Sequence, residues 1–117
     1  MKKIYITGIA GLLGSNIAVE LSDKYKITGV DSVDISIPNI KYDVFDVCDY
    51  TKLYESIVAV KPDILIHTIA VVNVDRCEEE ENFARKINAE LTRELSSICS
   101  QLNIKMIYIS TDAVFDG

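Results

Sequence analysis

The stretch Thr7-Gly8-Ile9-Ala10-Gly11-Leu12-Leu13-Gly14 places three glycines at three-residue spacing. It lies where an apolar run, Ile4-Tyr5-Ile6, gives way to an amphipathic segment expected to be helical from Asn16 to about Asp23. Glycine permits a tight strand-to-helix reversal and leaves no Cβ between a ligand and the backbone N–H groups at the helix start, where the macrodipole favours an anion. The first glycine makes the turn, the second admits a pyrophosphate and the third lets helix pack on strand. Beyond that helix a second apolar run, Lys26-Ile27-Thr28-Gly29-Val30, ends in Asp31. A carboxylate there, roughly 20 residues past the glycines, is placed to accept hydrogen bonds from an adenosine ribose. The pattern predicts a dinucleotide ligand.

The alternation continues along the chain. A third strand is expected near Ile40 to Val47, followed by a helix from Tyr50 to about Val60 capped by Asp49, with Leu53, Ile57 and Val60 as its core stripe and Pro62 as its stop. Asp63 to Ile69 is nearly continuous in apolar residues, as in a strand buried on both faces. After a loop through Asn73 and Asp75, the acidic run Glu78 to Glu81 opens a long amphipathic helix. Its stripe is Phe83, Ile87, Leu91, Leu95, Ile98 and Leu102, and its end is near Gln101. Lys105 to Ile109 is the fifth strand and delivers Ser110-Thr111-Asp112 at its carboxyl end. Strand, helix, strand in this order predicts an α/β doubly wound parallel sheet of the Rossmann type, strand order 3-2-1-4-5, truncated after strand five. Gly8 to Gly14, Asp31, Asp46, Ile69-Ala70-Val71 and Ser110-Thr111 then fall on one edge, outside the carboxyl ends of the strands.

Composition narrows the partners. The 117 residues form one domain, 49% hydrophobic and 26% charged, with formal net charge −6. Twelve scattered Lys and Arg offer no basic stripe for a phosphate backbone, so no nucleic-acid partner is expected. No apolar stretch approaches the roughly 20 residues of a membrane span, and the Met1-Lys2-Lys3 start is unlike a signal peptide; a cytoplasmic location is expected. Cys48, Cys77 and Cys99 lack metal or redox spacing and read as reduced packing residues, and the acidic run reads as surface, so no metal site is expected. His67, the sole histidine, reads as a packed strand-end residue.

Thr7-Gly8-x-x-Gly11-x-x-Gly14, Asp31, Asp46-Val47, Pro62-Asp63-Ile64, Val74 to Glu78, Ile87-Asn88-Ala89 and above all Ser110-Thr111-Asp112-Ala113-Val114-Phe115-Asp116-Gly117 resemble the extended short-chain dehydrogenase/reductases, within them the dTDP-4-dehydrorhamnose reductase branch. The resemblance spans the whole chain in one register. It implies NAD or NADP as cofactor, with Gly8, Gly11, Leu12, Leu13 and Gly14 at the pyrophosphate and Asp31 at the adenosine ribose. Asp46 and Val47 would meet the adenine edge, and Ile69, Ala70, Val71 and Ile109 the nicotinamide half. Thr111 would orient a substrate carbonyl with Asp112 beside the sugar, and Asn88 would help organise a water relay. The implied chemistry is hydride transfer to the C4 ketone of a nucleotide-linked 6-deoxy-4-hexulose, in dTDP-L-rhamnose biosynthesis. The negative charge of Asp31, with no Lys or Arg from Ser32 to Ile40, favours NAD over a 2′-phosphate.

The departures define the expected extent. Relatives use a Tyr followed four residues later by Lys as proton donor, and none of the six tyrosines here has Lys at that offset. Residues 1–117 are therefore expected to be the NAD(P)-binding part of a longer oxidoreductase, without the family's substrate domain and inactive alone. His67-Thr68-Ile69 replaces an Asn-Ala-Ala type stretch, Val71 a common Tyr or His, and Ala113 a common aromatic. Two other readings share the fold: a non-catalytic protein resembling the regulatory subunit of methionine adenosyltransferase, and a nucleotide-sugar epimerase or dehydratase. An apolar fifth-strand edge and the Phe83 to Leu102 helix also lead us to expect a homo-oligomer.

Overall fold

In the computed structural model, residues 1–68 and 78–109 are described, with side chains for all of these except 78–84. The elements run β1 (Lys3–Thr7), α1 (Leu12–Leu21), β2 (Lys26–Asp31), β3 (Asp43–Val44), α2 (Tyr50–Val60), β4 (Ile64–His67), α3 (Glu78–Leu102) and β5 (Lys105–Tyr108). The strands form one parallel sheet in the order β3-β2-β1-β4-β5. This is the doubly wound order expected from the sequence, and its reversal of direction between β1 and β4 creates the crevice where such sheets bind ligands. No helix among the described residues is long and apolar enough to cross a membrane.

Strand alternation divides the core. Tyr5, Val30 and Leu65 point to one face, where Leu53 and Ile57 of α2 and Leu91, Leu95 and Ile98 of α3 cover them. Ile4, Ile6 and Ile66 point to the other, against Ala18 of α1 together with Ile9, Ile37 and Ile40. The β2 to β3 connection therefore contributes no helix. Its residues Ile37 and Ile40 form an antiparallel bridge and fill the place beside α1 where a helix would pack. Tyr42 holds that connection closed, its hydroxyl accepting from the Ile35 N–H at 2.7 Å and lying 2.8 Å from the Val33 carbonyl.

Some boundaries differ from those expected. α1 begins at Leu12 rather than Asn16, because Gly8, at φ 73°, reverses the chain so sharply that helical geometry starts directly after Gly11. β3 is two residues long instead of spanning Ile40 to Val47, since residues before Asp43 are committed to the Ile37–Ile40 bridge and the Tyr42 bonds. α2 matches its expected span. Asp49 caps it, the side chain accepting from the Lys52 N–H at 3.2 Å, and Lys61 in the left-handed region ends it before Pro62. Val60 is only partly buried, while Leu53 and Ile57 are fully so.

Two polar inclusions interrupt the α2/α3 face. Ser56 donates to Asp43 Oδ2 at 2.6 Å, so its oxygen accepts the proton of Tyr5, whose hydroxyl is 2.7 Å away. Burial pushes the Tyr5 phenol well above its ordinary range. His67 is fully buried at the end of β4, with Nδ1 2.7 Å from Thr7 Oγ1 and Nε2 3.3 Å from Thr92 Oγ1. It is the packed strand-end residue expected. Desolvation drives its pKa down to about 4, so the ring is neutral in the folded protein. Cys99 is likewise a buried thiol, pushed up to about 11 by burial.

Two stability measurements follow from this packing. Leu53→Ala removes a fully buried side chain beneath α2 and should cost about 2–5 kcal/mol in urea denaturation, whereas Val19→Ala, at a position 55% exposed, should stay within about 0.5 kcal/mol. For His67, the unfolded chain takes up a proton near pH 6.5 and the folded protein only near pH 4, so stability should be full above 6.5 and decline as pH falls toward 4. Denaturation of wild type between pH 7.5 and 5 should show that decline, and His67→Gln, although less stable throughout, should be nearly flat over the same range; a flat wild-type profile would contradict the assignment.

Candidate functional site

A cavity of about 600 Å³ opens at the carboxyl ends of the central strands. The glycine turn lines it through Gly8, Gly11, Leu12, Leu13 and Gly14. Asp31 and Ser32 enter from the end of β2, Asp46, Val47 and Cys48 from the segment before α2, Thr68 from directly after β4 and Ile87 from α3. Every expected pyrophosphate, ribose and adenine residue thus meets in one place. Ser32, Cys48, Thr68 and Ile87 were not singled out by the sequence for this role. Thr68 had a legible signal, since it directly follows the strand beside the switch point; Ile87 had none, because helical spacing assigned it to the core stripe.

The turn's geometry explains its glycines. Gly8 occupies φ 73°, a conformation costly for residues with a Cβ. A Cβ on Gly14 would lie 2.1 Å from the Gly8 carbonyl oxygen, a backbone atom that cannot yield, so only glycine lets α1 pack this closely. Gly11 is the N-cap of α1 in an extended conformation and its N–H donates to the Gly8 carbonyl at 3.0 Å. No side-chain cap bonds the start of this helix, and its first turn carries no acidic residue. The first-turn N–H groups, which have no partner within a helix, are thereby left to face an anion.

Asp31 is fixed against this turn. Its Oδ2 accepts from the Ala10 N–H at 2.9 Å and its Oδ1 from the Val33 N–H at 3.1 Å. Each carboxylate oxygen has a second lone pair, so both remain able to accept from a ribose hydroxyl. Asp46 Oδ1 accepts from the Cys48 N–H at 2.9 Å, and its carbonyl accepts from Asp49 N–H at 2.8 Å, a local turn that fixes the approach to α2. Partial burial first, and the adjacent Asp46 second, raise the Cys48 thiol, which keeps it protonated.

The remaining expected residues are distributed differently. Ile109 packs with the Ile6 and Ile66 cluster, its N–H donating to the His67 carbonyl at 3.0 Å. Asn88 lies on α3 next to Ile87, and its carbonyl accepts from Thr92 Oγ1 at 2.8 Å. Ile69, Ala70, Val71, Cys77, Thr111 and Asp112 lie outside the described residues. A larger cavity, about 950 Å³, sits at the opposite, amino ends of the strands, lined by Lys3, Lys26 and Lys41 among others. It has no glycine turn and lies away from the switch point.

The cavity at the carboxyl ends fits a dinucleotide on the structure's own terms. It combines a cradle that a Cβ would fill, an uncapped helix start and a carboxylate positioned across from it, in a volume typical of small-molecule sites.

Comparison with known proteins agrees in register and fold. The family described as RmlD substrate binding domain matches residues 1–117. The dTDP-4-dehydrorhamnose reductase of Aggregatibacter actinomycetemcomitans is 31% identical over 119 aligned residues, covering 100% of this chain and 37% of that protein. The chain thus spans a little over a third of this curated relative. Among solved structures, a hypothetical dTDP-4-dehydrorhamnose reductase from Sulfolobus tokodaii superposes with TM-score 0.79 at 34% identity, over 100% of this chain and 41% of that one. L-threonine 3-dehydrogenase from Trypanosoma brucei superposes with TM-score 0.82 at 27% identity, over 98% of this chain and 38% of its own. The chain belongs to the RmlD substrate binding domain family, in the dTDP-4-dehydrorhamnose reductase branch of the extended short-chain dehydrogenase/reductases.

Proposed function

We propose that these residues are the nicotinamide-dinucleotide-binding part of a nucleotide-sugar 4-ketoreductase, with dTDP-4-dehydrorhamnose as the substrate of the whole protein. The observation that carries the reading is the convergence of the glycine turn, Asp31 and Asp46 on one cavity. In it, N–H groups at the start of α1 bind the pyrophosphate, Asp31 accepts the ribose hydroxyls and Val47 packs against adenine. The bound cofactor supplies the hydride. Thr111, carried over from the family's motif, orients the substrate carbonyl, with Asp112 beside the sugar. NADH is preferred over NADPH, because Asp31 and Asp34 repel a 2′-phosphate and no cation lies between Ser32 and Ile40.

The proton donor is the step these residues do not supply. No tyrosine among them carries Lys at i+4, and a positioned general acid contributes about 10²–10⁴-fold to such a reaction. Residues 1–117 alone should therefore show no NADH oxidation with dTDP-4-dehydro-6-deoxy-L-mannose. A longer protein carrying Tyr-x-x-x-Lys should oxidise NADH with that sugar and lose most of the rate on Thr111→Val. Inactivity of such a protein would move the reading to another nucleotide sugar or to a regulatory role.

Cofactor binding is testable directly. Asp31→Ala should weaken NADH, followed by fluorescence titration, by about 1.5–3 kcal/mol, the scale of hydrogen bonds to a charged group. Unchanged affinity, or tighter binding of NADPH than NADH by wild type, would overturn the assignment of Asp31.

A further inference from the structure

His67 lies in a set of hydrogen bonds whose direction the geometry fixes. The Thr92 hydroxyl has one proton, and its shorter contact is the Asn88 carbonyl at 2.8 Å, which can only accept. Thr92 Oγ1 must therefore accept from His67 Nε2, 3.3 Å away, and the ring carries its proton on Nε2. At the other nitrogen, Nδ1 is left as an acceptor for the Thr7 hydroxyl at 2.7 Å. Thr7 Oγ1 in turn accepts the Thr68 N–H at 3.1 Å. The opposite tautomer would leave the Thr7 hydroxyl proton without a recipient. The chain thus runs one way, from the Thr68 N–H through Thr7 and His67 to Thr92 and the Asn88 carbonyl.

One end of that chain lines the cavity, and the other lies next in sequence to a residue that does. Thr68 and Gly8 line it on the sheet side, and Thr68 Oγ1 also donates to the Thr7 carbonyl at 2.6 Å. Ile87, the residue before Asn88, lines it from α3. The ring between them is held by stacking on Tyr108, with centroids 5.0 Å apart and planes 21° from parallel. We propose that His67, as the neutral Nε2–H imidazole, is a positioning residue that ties the glycine turn to α3 and so sets the two walls of the dinucleotide cavity relative to each other. The inference rests on the dinucleotide reading and adds to it a residue that touches no ligand. Thr92 is likewise absent from the cavity lining, so its hydroxyl acts on binding through its bonds to His67 and the Asn88 carbonyl.

Two measurements test this. As the sole histidine, His67 gives an unambiguous long-range ¹H–¹⁵N spectrum of the unmutated protein. The spectrum at pH 7 should show the neutral Nε2–H tautomer, and an Nδ1–H tautomer or an imidazolium would overturn the chain of bonds. NADH titration should then show Thr92→Val weaker than wild type by roughly three- to tenfold, the scale of one lost hydrogen bond. Thr92→Ser, which keeps the hydroxyl, and Ser56→Ala, which breaks the other buried polar chain, should stay within about twofold. Wild-type affinity in Thr92→Val, or an equal loss in Ser56→Ala, would overturn the coupling while leaving the dinucleotide reading intact. A wild-type protein of the expected tautomer that binds no NADH would overturn the dinucleotide reading and the coupling with it.

Discussion

The approach of Gly14 to the Gly8 carbonyl is the constraint on which the site depends. With 2.1 Å between that oxygen and any Cβ at position 14, α1 reaches its place against β1 only because residue 14 presents no side chain there. That approach aims the start of α1 at the carboxyl edge of the sheet. It also brings Ala10 within hydrogen-bond distance of Asp31, so the turn and the strand-end acid are locked to each other through one bond of 2.9 Å. The first-turn amides of α1 and the Asp31 carboxylate are consequently one unit rather than two neighbouring features.

The core supports this arrangement asymmetrically. α2 and α3 cover one face with large aliphatic side chains, while the other is closed by α1 and by the bridged Ile37 and Ile40 in place of a helix. Among the described residues, each buried polar side chain on the α2/α3 face has a partner, in keeping with the cost of leaving one unpaired. The Tyr5–Ser56–Asp43 bonds tie β1, α2 and β3 below the site, and the Thr7–His67–Thr92 bonds tie β1, β4 and α3 immediately beneath it. Hydrophobic burial drives the layers together without direction. The two polar chains are directional, and they fix which residues come to the edge.

Elements with strong periodicity or punctuation were legible in the sequence. Asp49 and Pro62 bracketed α2 because an Asx cap and a proline stop are local chemistry, and the alternation of strands and helices sufficed for the strand order. The extent of β3 was not legible. Its pairing is limited by the Tyr42 hydroxyl reaching back to Val33 and Ile35, a tertiary event that no local pattern announces. At the site, Gly8 to Gly14, Asp31, Asp46 and Val47 could be read from spacing and resemblance, since a phosphate turn and a strand-end acid have fixed intervals. Ile87 and Thr92 could not, because helical spacing distinguishes core from surface but not the part of a face that meets a cleft. His67 was legible as a packed residue, whereas its tautomer depends on partners 60 and 25 residues away in sequence.

We propose that the carboxyl-edge cavity, and not the lysine-lined cavity at the amino ends of the strands, holds the dinucleotide. Titration of ¹⁵N-labelled protein with NADH, followed amide by amide, tests it most directly. The amides of Gly11 to Gly14, Ser32 and Cys48 should shift together and saturate together, while those of Lys3, Lys26 and Lys41 stay in place. Shifts confined to the lysine-lined cavity, or an unshifted glycine turn at saturating NADH, would contradict it.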